Sequence, residues 1–375
     1  MNNKGTLFPT SLAELCEAVR GTPRLLAMGS GTKPRLTAIN TTKLSTAQLH
    51  GIVEYDPSEF TFSALAGTPV KQIAATLAER GQYLPFDPLL LDAGATLGGT
   101  VAAGLSGPGR FRFGGVRDFI LGIRFVDGAG RLLRMGGKVV KNAAGFDLPK
   151  FFVGSLGRFG VLGELTFKVF PAPPSRLTLR LALNTASDAP RMLTEIANSR
   201  WEPDALDVLP LTPPSPCDEG VERGAAICVR LAGPASALEE ISGEILARWP
   251  GDKLSAAEAE TLWSGLREFQ WTYPSGPLIK LPLTPAALPA LDQALRSLDG
   301  ARVHVSAAGN VAFISLPSDS QAPALDEALR KLDLRAMTLR GNGPFWLGAH
   351  RQTKIGQAIK NALDPQNRFP SLDEG

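Results

Sequence analysis

Two glycine-rich stretches hold the residues best suited to chemistry: Gly29-Ser30-Gly31-Thr32-Lys33, and the run from Asp92 to Gly104 that reads DAGATLGGTVAAG. Consecutive small residues let main-chain N–H groups converge on the oxygens of an anion, while Thr32 adds a hydroxyl and Lys33 adds charge. The first loop is not of the GxxxxGK[ST] type, and it lacks GxGxxG spacing followed by a distant acidic residue. Alone, GSGT would read as a turn. The second stretch gives it weight, because Gly94, Gly98 and Gly99 flank Thr96 ahead of a small-residue helix whose first amides are expected to be free for a ligand. Glycines, singly and in pairs, then continue to Gly163, where apolar runs begin or end. A helix interior loses roughly 1 kcal/mol per glycine relative to alanine. The glycines are therefore expected in turns, or where backbone meets a ligand too closely for a Cβ. Together they describe a surface of main-chain amides suited to a large anionic cofactor.

The elements that must position these loops are legible around them. SLAELCEAVRG (11–21) has helical spacing and Gly21 as its stop. RLLAM is a short strand feeding the first loop, and GIVEY and TFSALAG are strands turned at Tyr55-Asp56-Pro57. Pro69 opens a second helix, PVKQIAATLAERG. ILGIRFVDGAGRLLRMGG reads as a hairpin about Asp127-Gly128-Ala129-Gly130. Pro171, Pro173 and Pro174 end the β-run LGELTFKVF and place the main boundary at residue 172. Beyond it, RLTLRLAL, AAICVRLAG, GPLIKLPL, VHVSAAG and VAFISLP alternate with helical stretches such as ASALEEISGEILARW and APALDEALRKL. This predicts an α+β layer, one sheet with helices on one face. The proline-rich 209–220 stretch is expected to be a mobile surface loop, and the helix in GAHRQTKIGQAIKNALDPQNRF stops at Asp364-Pro365. No internal repeat is apparent.

Composition removes several classes of function. The chain has 375 residues, 44% hydrophobic and 20% charged, which suits a globular protein of two domains. A net charge of +3 asks for neither nucleic acid nor an anionic membrane as partner. No apolar run reaches the ~20 residues of a membrane span. MNNKGTLFPTSLAEL lacks the form of a signal peptide, so the expected location is the cytoplasm. Cys16, Cys217 and Cys228 are widely spaced and the three histidines stand at 50, 304 and 350, so neither an iron–sulfur cluster nor a resident metal is expected.

In order along the chain, GSGT, ATLGGTVA, GVRDFILGIRFVDGAG and KNAAGFDLPKFFVGSLGRFGVLGE resemble the FAD-binding domain of the vanillyl-alcohol-oxidase type, also called PCMH-type, over roughly residues 20–172. Within that superfamily, GIVEYDP, AGTPV, AAGLSGP, VRDFILG, KNAAGFDL and LDPQNRF resemble the E subunits of glycolate oxidase complexes. The resemblance implies an α+β fold: a two-subdomain FAD-binding domain (1–172), a ferredoxin-like cap (173–341), and a C-terminal helix (342–375) returning to the first domain. It also implies FAD as cofactor and a small 2-hydroxy acid, glycolate, as substrate. The implied partners are a catalytic flavoprotein subunit and an iron–sulfur subunit, with any membrane association made through that complex.

Carried over by position, Gly29, Ser30, Gly31, Thr32 and Lys33 match the family's pyrophosphate loop. Ala95, Thr96, Gly98, Gly99 and Val101 match the second flavin-contacting loop. Gly160 and Val161 match the segment at the adenine edge, and Lys141, Asn142, Gly145 and Asp147 match a KNxxGYDL motif near the cofactor. Some relatives attach flavin to a histidine aligned with Thr32, and threonine cannot do so; the implied FAD is non-covalent. Where relatives carry an NPG-like motif, this chain reads Phe369-Pro370-Ser371, so no cofactor role passes to the C-terminus.

No catalytic residue is assigned. Related catalytic chains carry a histidine cluster in the cap, and none is found here. His304 alternates with Val303 and Val305, facing solvent or a partner sheet, and reads as structural. Arg117-Asp118 reads as an ion pair, and Trp263, Trp271 and Tyr273 as core or interface anchors. Two other readings stay open: a stand-alone dehydrogenase of D-lactate or another 2-hydroxy acid, and an interaction subunit whose flavin fold has lost its cofactor.

Overall fold

The computed structural model describes residues 5–137, 147–183, 188–209, 226–349, 354–371 and 373–374. The chain forms two compact units, one of Met1–Ser106, Gly114–Ala172 and Arg351–Gly375, the other of Gly107–Phe113 and Pro173–His350. The second unit joins seven residues from the glycine-rich region (Gly107–Phe113) to a long segment from Pro173 that runs past residue 341.

In the first unit, β1 (Thr6–Leu7), β2 (Leu25–Met28) and β3 (Thr42–Ser45) make a parallel sheet in the order β1-β3-β2. Helix α1 (Leu12–Gly21) starts at Ser11, whose Oγ accepts the Glu14 N–H at 3.2 Å, and buries Leu15, Cys16 and Val19. The strands β4 (Ile52–Asp56), β5 (Thr61–Leu65), β7 (Ile120–Val126), β8 (Leu132–Gly136) and β9 (Val161–Lys168) make an antiparallel sheet in the order β4-β5-β9-β7-β8. β7 and β8 are the expected hairpin, its turn held by Asp127 Oδ1, which accepts from the Ala129 and Arg131 N–H groups. Helix α2 (Val70–Ala78) begins directly after Pro69, and β6 (Gln82–Tyr83) pairs with β10 (Phe170–Pro171). The short helices α3 (Leu97–Ala103), α5 (Val116–Phe119) and α6 (Leu148–Phe151) complete this part, while α4 (Arg110–Phe113) lies in the second unit. Asp118 does not pair with Arg117 as expected; it caps α5, accepting the Gly115 N–H at 2.9 Å.

In the second unit, β11 (Ser175–Ala182), α7 (Ala189–Ala197), β12 (Ala205–Val208), β13 (Ala226–Gly233), α8 (Ala235–Arg248) and β14 (Gly251–Lys253) follow one another as βαββαβ, in the strand order β14-β11-β13-β12. Helix α9 (Ala256–Arg267) then leads to β15 (Leu278–Pro282), α10 (Leu288–Leu295), β16 (Arg302–Ser306), β17 (Val311–Ser315), α11 (Ala322–Lys331) and β18 (Arg335–Arg340). This is the same connectivity again, ordered β18-β15-β17-β16, with β19 (Trp346–Gly348) added beside β18. The ferredoxin-like pattern therefore occurs twice, joined from β12 to β16 into one nine-stranded sheet. The sequence showed no repeat because the copies share strand order and apolar alternation rather than residues. Leu179, Leu181, Ile227, Val229, Ile279, Leu281 and Ile314 face α7, α8, α10 and α11 in one core. Helices do not keep to one face, however: α9 packs Trp263 and Leu266 on Ala205 and Cys228 of the other. The 209–220 loop lies, apart from Leu209, outside the described residues.

The seam between the two modules is thin, with Val208↔Val305 its one registered pair among the described residues. Asp207 reinforces it by accepting from His304 Nε2 at 2.8 Å, Ser306 Oγ at 3.0 Å and the Ala307 N–H at 3.1 Å. His304 is thus buried, 2% exposed, rather than solvent-facing. A carboxylate only accepts, so Nε2 carries the proton. Asp207→Ala leaves three donors unpaired in the sheet and is expected to cost about 3–5 kcal/mol. Urea unfolding measures this; an unchanged midpoint would show the seam to be held by apolar packing alone.

Helix α12 (Lys354–Leu363) belongs to the first unit. Its Lys360, 4% exposed, donates to Asp364 Oδ2 at 2.5 Å, to the Arg158 carbonyl at 2.7 Å and to the Phe369 carbonyl at 2.8 Å. Asp364 also accepts from the Arg368 and Phe369 N–H groups, and the Arg368 carbonyl accepts from the Leu25 N–H at the start of β2. Phe369 completes the core around Leu15, Leu25, Val126 and Val161.

Candidate functional site

Strand β2 carries the chain straight into the Gly29–Lys33 loop, and the start of α3 packs against that loop. Ser30 Oγ donates to the Gly94 carbonyl at 2.6 Å, and Ser45 Oγ to the Gly29 carbonyl at 3.1 Å. At Gly29 a Cβ would stand 2.2 Å from Thr96 Oγ1, and at Gly98 it would stand 2.8 Å from the Ala66 Cβ. Only glycine lets these segments come so close. Between them runs a groove of two lobes. The larger, about 470 Å³ and open to solvent, is lined by Ala27 to Lys33, Leu36, Thr37, Thr96, Gly99, Ala102, Ala103 and Leu156. The second, about 350 Å³, shares Ala27, Met28, Gly29, Gly99 and Ala102 with the first and adds Thr46, Ala66, Gly98, Ser155, Gly157, Gly160, Val161 and Leu162.

The donors are arranged differently from the expectation. The first amides of α3 are not free: Leu97 N–H goes to the Thr68 carbonyl, Gly98 N–H to the Ala66 carbonyl, and Gly99 N–H to Thr96 Oγ1, the N-cap. These bonds fix α3 to β5 and its turn. The N–H groups from Ser30 to Lys33 make no hydrogen bond to the described residues, so the unused amides belong to the first loop. Lys33 lies among them, 8% exposed, with Nζ 2.8 Å from Thr32 Oγ1, and burial pushes its amine down to about 8. In the second lobe, Ser155 Oγ is buried with no protein partner among the described residues. An anion would find free donors and a cation in one lobe, and a slot of small residues with a spare hydroxyl in the other.

Residues 4–136 match the family model described as FAD binding domain. Over these residues the chain is similar to FAD binding domains. Its cofactor is FAD. The chain is 42% identical over 193 residues to the glycolate oxidase subunit GlcE of Escherichia coli (strain K12), a match covering 51% of this chain and 54% of that one. It is 28% identical over 161 residues to the glycolate oxidase subunit GlcD of Bacillus subtilis (strain 168), covering 43% and 34%. It is also 28% identical over 166 residues to a D-lactate dehydrogenase of Anaerostipes hadrus, covering 44% and 34%. The chain spans about half the length, or less, of the curated relatives it matches. A solved alkyldihydroxyacetonephosphate synthase shares the fold, with a TM-score of 0.71 at 16% identity over 97% of this chain and 76% of that one.

The groove fits FAD in its donor set and its cradle of small residues. Of the residues expected at the cofactor, Gly29, Ser30, Gly31, Thr32, Lys33, Thr96, Gly98, Gly99, Gly160 and Val161 line it. Ala95 and Val101 do not. Both are fully buried, Ala95 pairing with Val70 and Leu90, and the Val101 carbonyl holding the Gly154 N–H that leads into Ser155. Asp147 lies outside both lobes and caps α6, accepting the Lys150 N–H at 3.2 Å. Lys141, Asn142 and Gly145 fall outside the described residues. Thr46, Ala66 and Ser155 were missed; only Ser155 had a signal, its place in GSLGRFG, whereas Thr46 and Ala66 reach the groove through sheet and turn geometry. In the second unit, Lys280 on β15 has its amine pushed down to about 8 by burial and then by Arg110. Among the described residues no cluster of His, Cys, Asp and Glu could hold a metal, and no helix is long and apolar enough to cross a membrane.

Proposed function

We propose that this chain is the FAD-carrying subunit of a cytoplasmic glycolate-oxidising complex, working with a catalytic flavoprotein subunit and an iron–sulfur subunit. The observation that carries this reading is the 42% identity to a glycolate oxidase subunit, above that to the D-lactate dehydrogenase. Under it, the free amides from Ser30 to Lys33 and the Lys33 ammonium take the FAD diphosphate. Thr96, Gly98 and Gly99 form the wall along the cofactor, and Gly160, Val161 and Ser155 meet the adenine end. Lys141, Asn142, Gly145 and Asp147 serve the same cofactor as in the family motif, with Ala95 and Val101 holding the loops in place. Thr32 has no ring nitrogen to bond to the flavin, so FAD is held non-covalently.

Bound FAD supplies a two-electron acceptor. Oxidation of a 2-hydroxy acid further requires a base for the hydroxyl proton. His304, the histidine of the second unit within the described residues, is committed to Asp207 in the sheet seam. That supports a division of labour in which the partner subunit supplies the base and the iron–sulfur subunit receives the electrons. A second reading, a self-sufficient D-lactate-type dehydrogenase, is favoured by the likeness to the D-lactate dehydrogenase.

Assaying the FAD-loaded chain with glycolate and D-lactate against an artificial dye, alone and with partner subunits, separates the two. The isolated chain is expected to be slower by about 10²–10⁴, the usual cost of a missing acid–base group, with turnover appearing in the complex. Equal turnover by chain and complex would overturn the subunit reading.

A further inference from the structure

We propose that Lys33 is a proton-coupled latch for the cofactor: at alkaline pH, docking of the FAD diphosphate draws a proton from solution onto the Lys33 amine. The inference rests on the diphosphate reading of the first loop and adds a control on it, since pH then sets how tightly FAD is held.

The side chain is 8% exposed, lines the larger lobe, and contacts a neutral oxygen, Thr32 Oγ1, as its polar partner among the described residues. Among the described residues that line this lobe there is no carboxylate. The turn Pro34–Thr37 carries Arg35; β3 carries Lys43, whose amine is bonded to the Thr37 and Ile39 carbonyls; β2, α3 and Leu156 carry no charge. A cation removed from water without a counter-ion is expensive, so burial shifts the balance toward the neutral amine relative to an exposed lysine. Burial alone accordingly pushes Lys33 down to about 8. A diphosphate diester stays negatively charged throughout the neutral and alkaline range. Beside the free amides of this loop it favours the ammonium and restores the proton.

The linkage has a definite sign. FAD affinity is flat below about pH 8 and falls as pH rises above it, until the complex too loses the proton. For the FAD-free protein the sign reverses. Between about 8 and the ordinary 10.5 the unfolded chain binds more protons at this lysine, so its contribution to stability rises with pH.

Calorimetric titration of the FAD-free full chain with FAD, in two buffers of different ionisation heat, reads the proton directly. Uptake is expected near zero at pH 6.5 and about 0.9 proton at pH 9, with Kd rising roughly tenfold from pH 7 to pH 9. Lys33→Met should bind FAD more weakly at pH 7 and lose the uptake. Lys33→Arg, charged throughout, should lose the uptake yet hold FAD at pH 9 as at pH 7, and it carries the test if the Met variant fails to fold. Titration of the flavin ring itself cancels between wild type and Lys33→Arg. No uptake in the wild type at pH 9, or the same uptake in Lys33→Arg, overturns the latch while FAD binding stands. Failure of the wild type to bind FAD at either pH overturns the cofactor reading itself.

Discussion

Gly29→Val will lose FAD while keeping most of its secondary structure, with affinity reduced on the order of 100-fold. A Cβ at this position would stand 2.2 Å from Thr96 Oγ1, and valine adds two methyl groups to that Cβ. Thr96 must move, and in moving it gives up the Gly99 N–H it accepts as N-cap of α3. Loss of such a cap costs about 1 kcal/mol. The larger effect is geometric, because the first loop and α3 are the two walls of the groove and the clash drives them apart. Fluorescence titration with FAD, beside circular dichroism, measures both consequences. Thr96→Ala in the same chain removes the atom in the way and should restore part of the affinity. Binding by Gly29→Val within about threefold of wild type, near 0.6 kcal/mol, would place the cofactor elsewhere.

Lys360→Met will destabilise the chain by roughly 3–5 kcal/mol, as much as Asp207→Ala, lowering Tm by roughly 6–20 °C. Lys360 and Asp364 form a buried ion pair, and the ammonium also satisfies the Arg158 and Phe369 carbonyls. Removing the cation leaves a carboxylate and two carbonyls in the interior. Asp364 keeps the Arg368 and Phe369 N–H groups, which limits the loss but does not replace the charge. The C-terminal segment should then detach from β2, and because Arg158 sits between Gly157 and Gly160 the second lobe of the groove should loosen with it. Differential scanning calorimetry and FAD titration check the two effects together. The double variant Lys360→Met with Asp364→Leu removes both charges and should recover part of the stability. A Tm within about 2 °C of wild type in the single variant would show the knot to contribute little.

The local grammar of this chain was legible without a structure. Ser11 and Gly21 bound α1, Pro69 opens α2, Asp127 to Gly130 turn the β7–β8 hairpin, and Pro171 ends the last strand pair of the first unit. Caps, prolines and turn residues act on their own few neighbours, so their meaning survives in the linear order. The first loop was legible for the same reason: small residues beside a threonine and a lysine can serve an anion wherever the fold puts them. The ordered motifs around it resemble those of one FAD-binding family, and the match to the FAD binding domain agrees.

Contacts between distant residues decided the rest. Whether the amides at Leu97, Gly98 and Gly99 were free depended on Thr68, Ala66 and Thr96, and they turned out to be taken. His304 was read as facing solvent or a partner sheet because its valine neighbours alternate with it; its pairing with Asp207, 97 residues away, comes from joining two ferredoxin-like modules that have no sequence likeness. Ala95 and Val101 sit in a motif whose other members line the groove, yet helix and turn geometry point them inward. Residue types and their local order are enough to say which groups could serve an anionic cofactor and where the local elements start and stop. The tertiary structure alone decided which donors remain unused and how deeply Lys33 is buried, because hydrogen-bond satisfaction and desolvation depend on every atom that surrounds a group, and those atoms come from all along the chain.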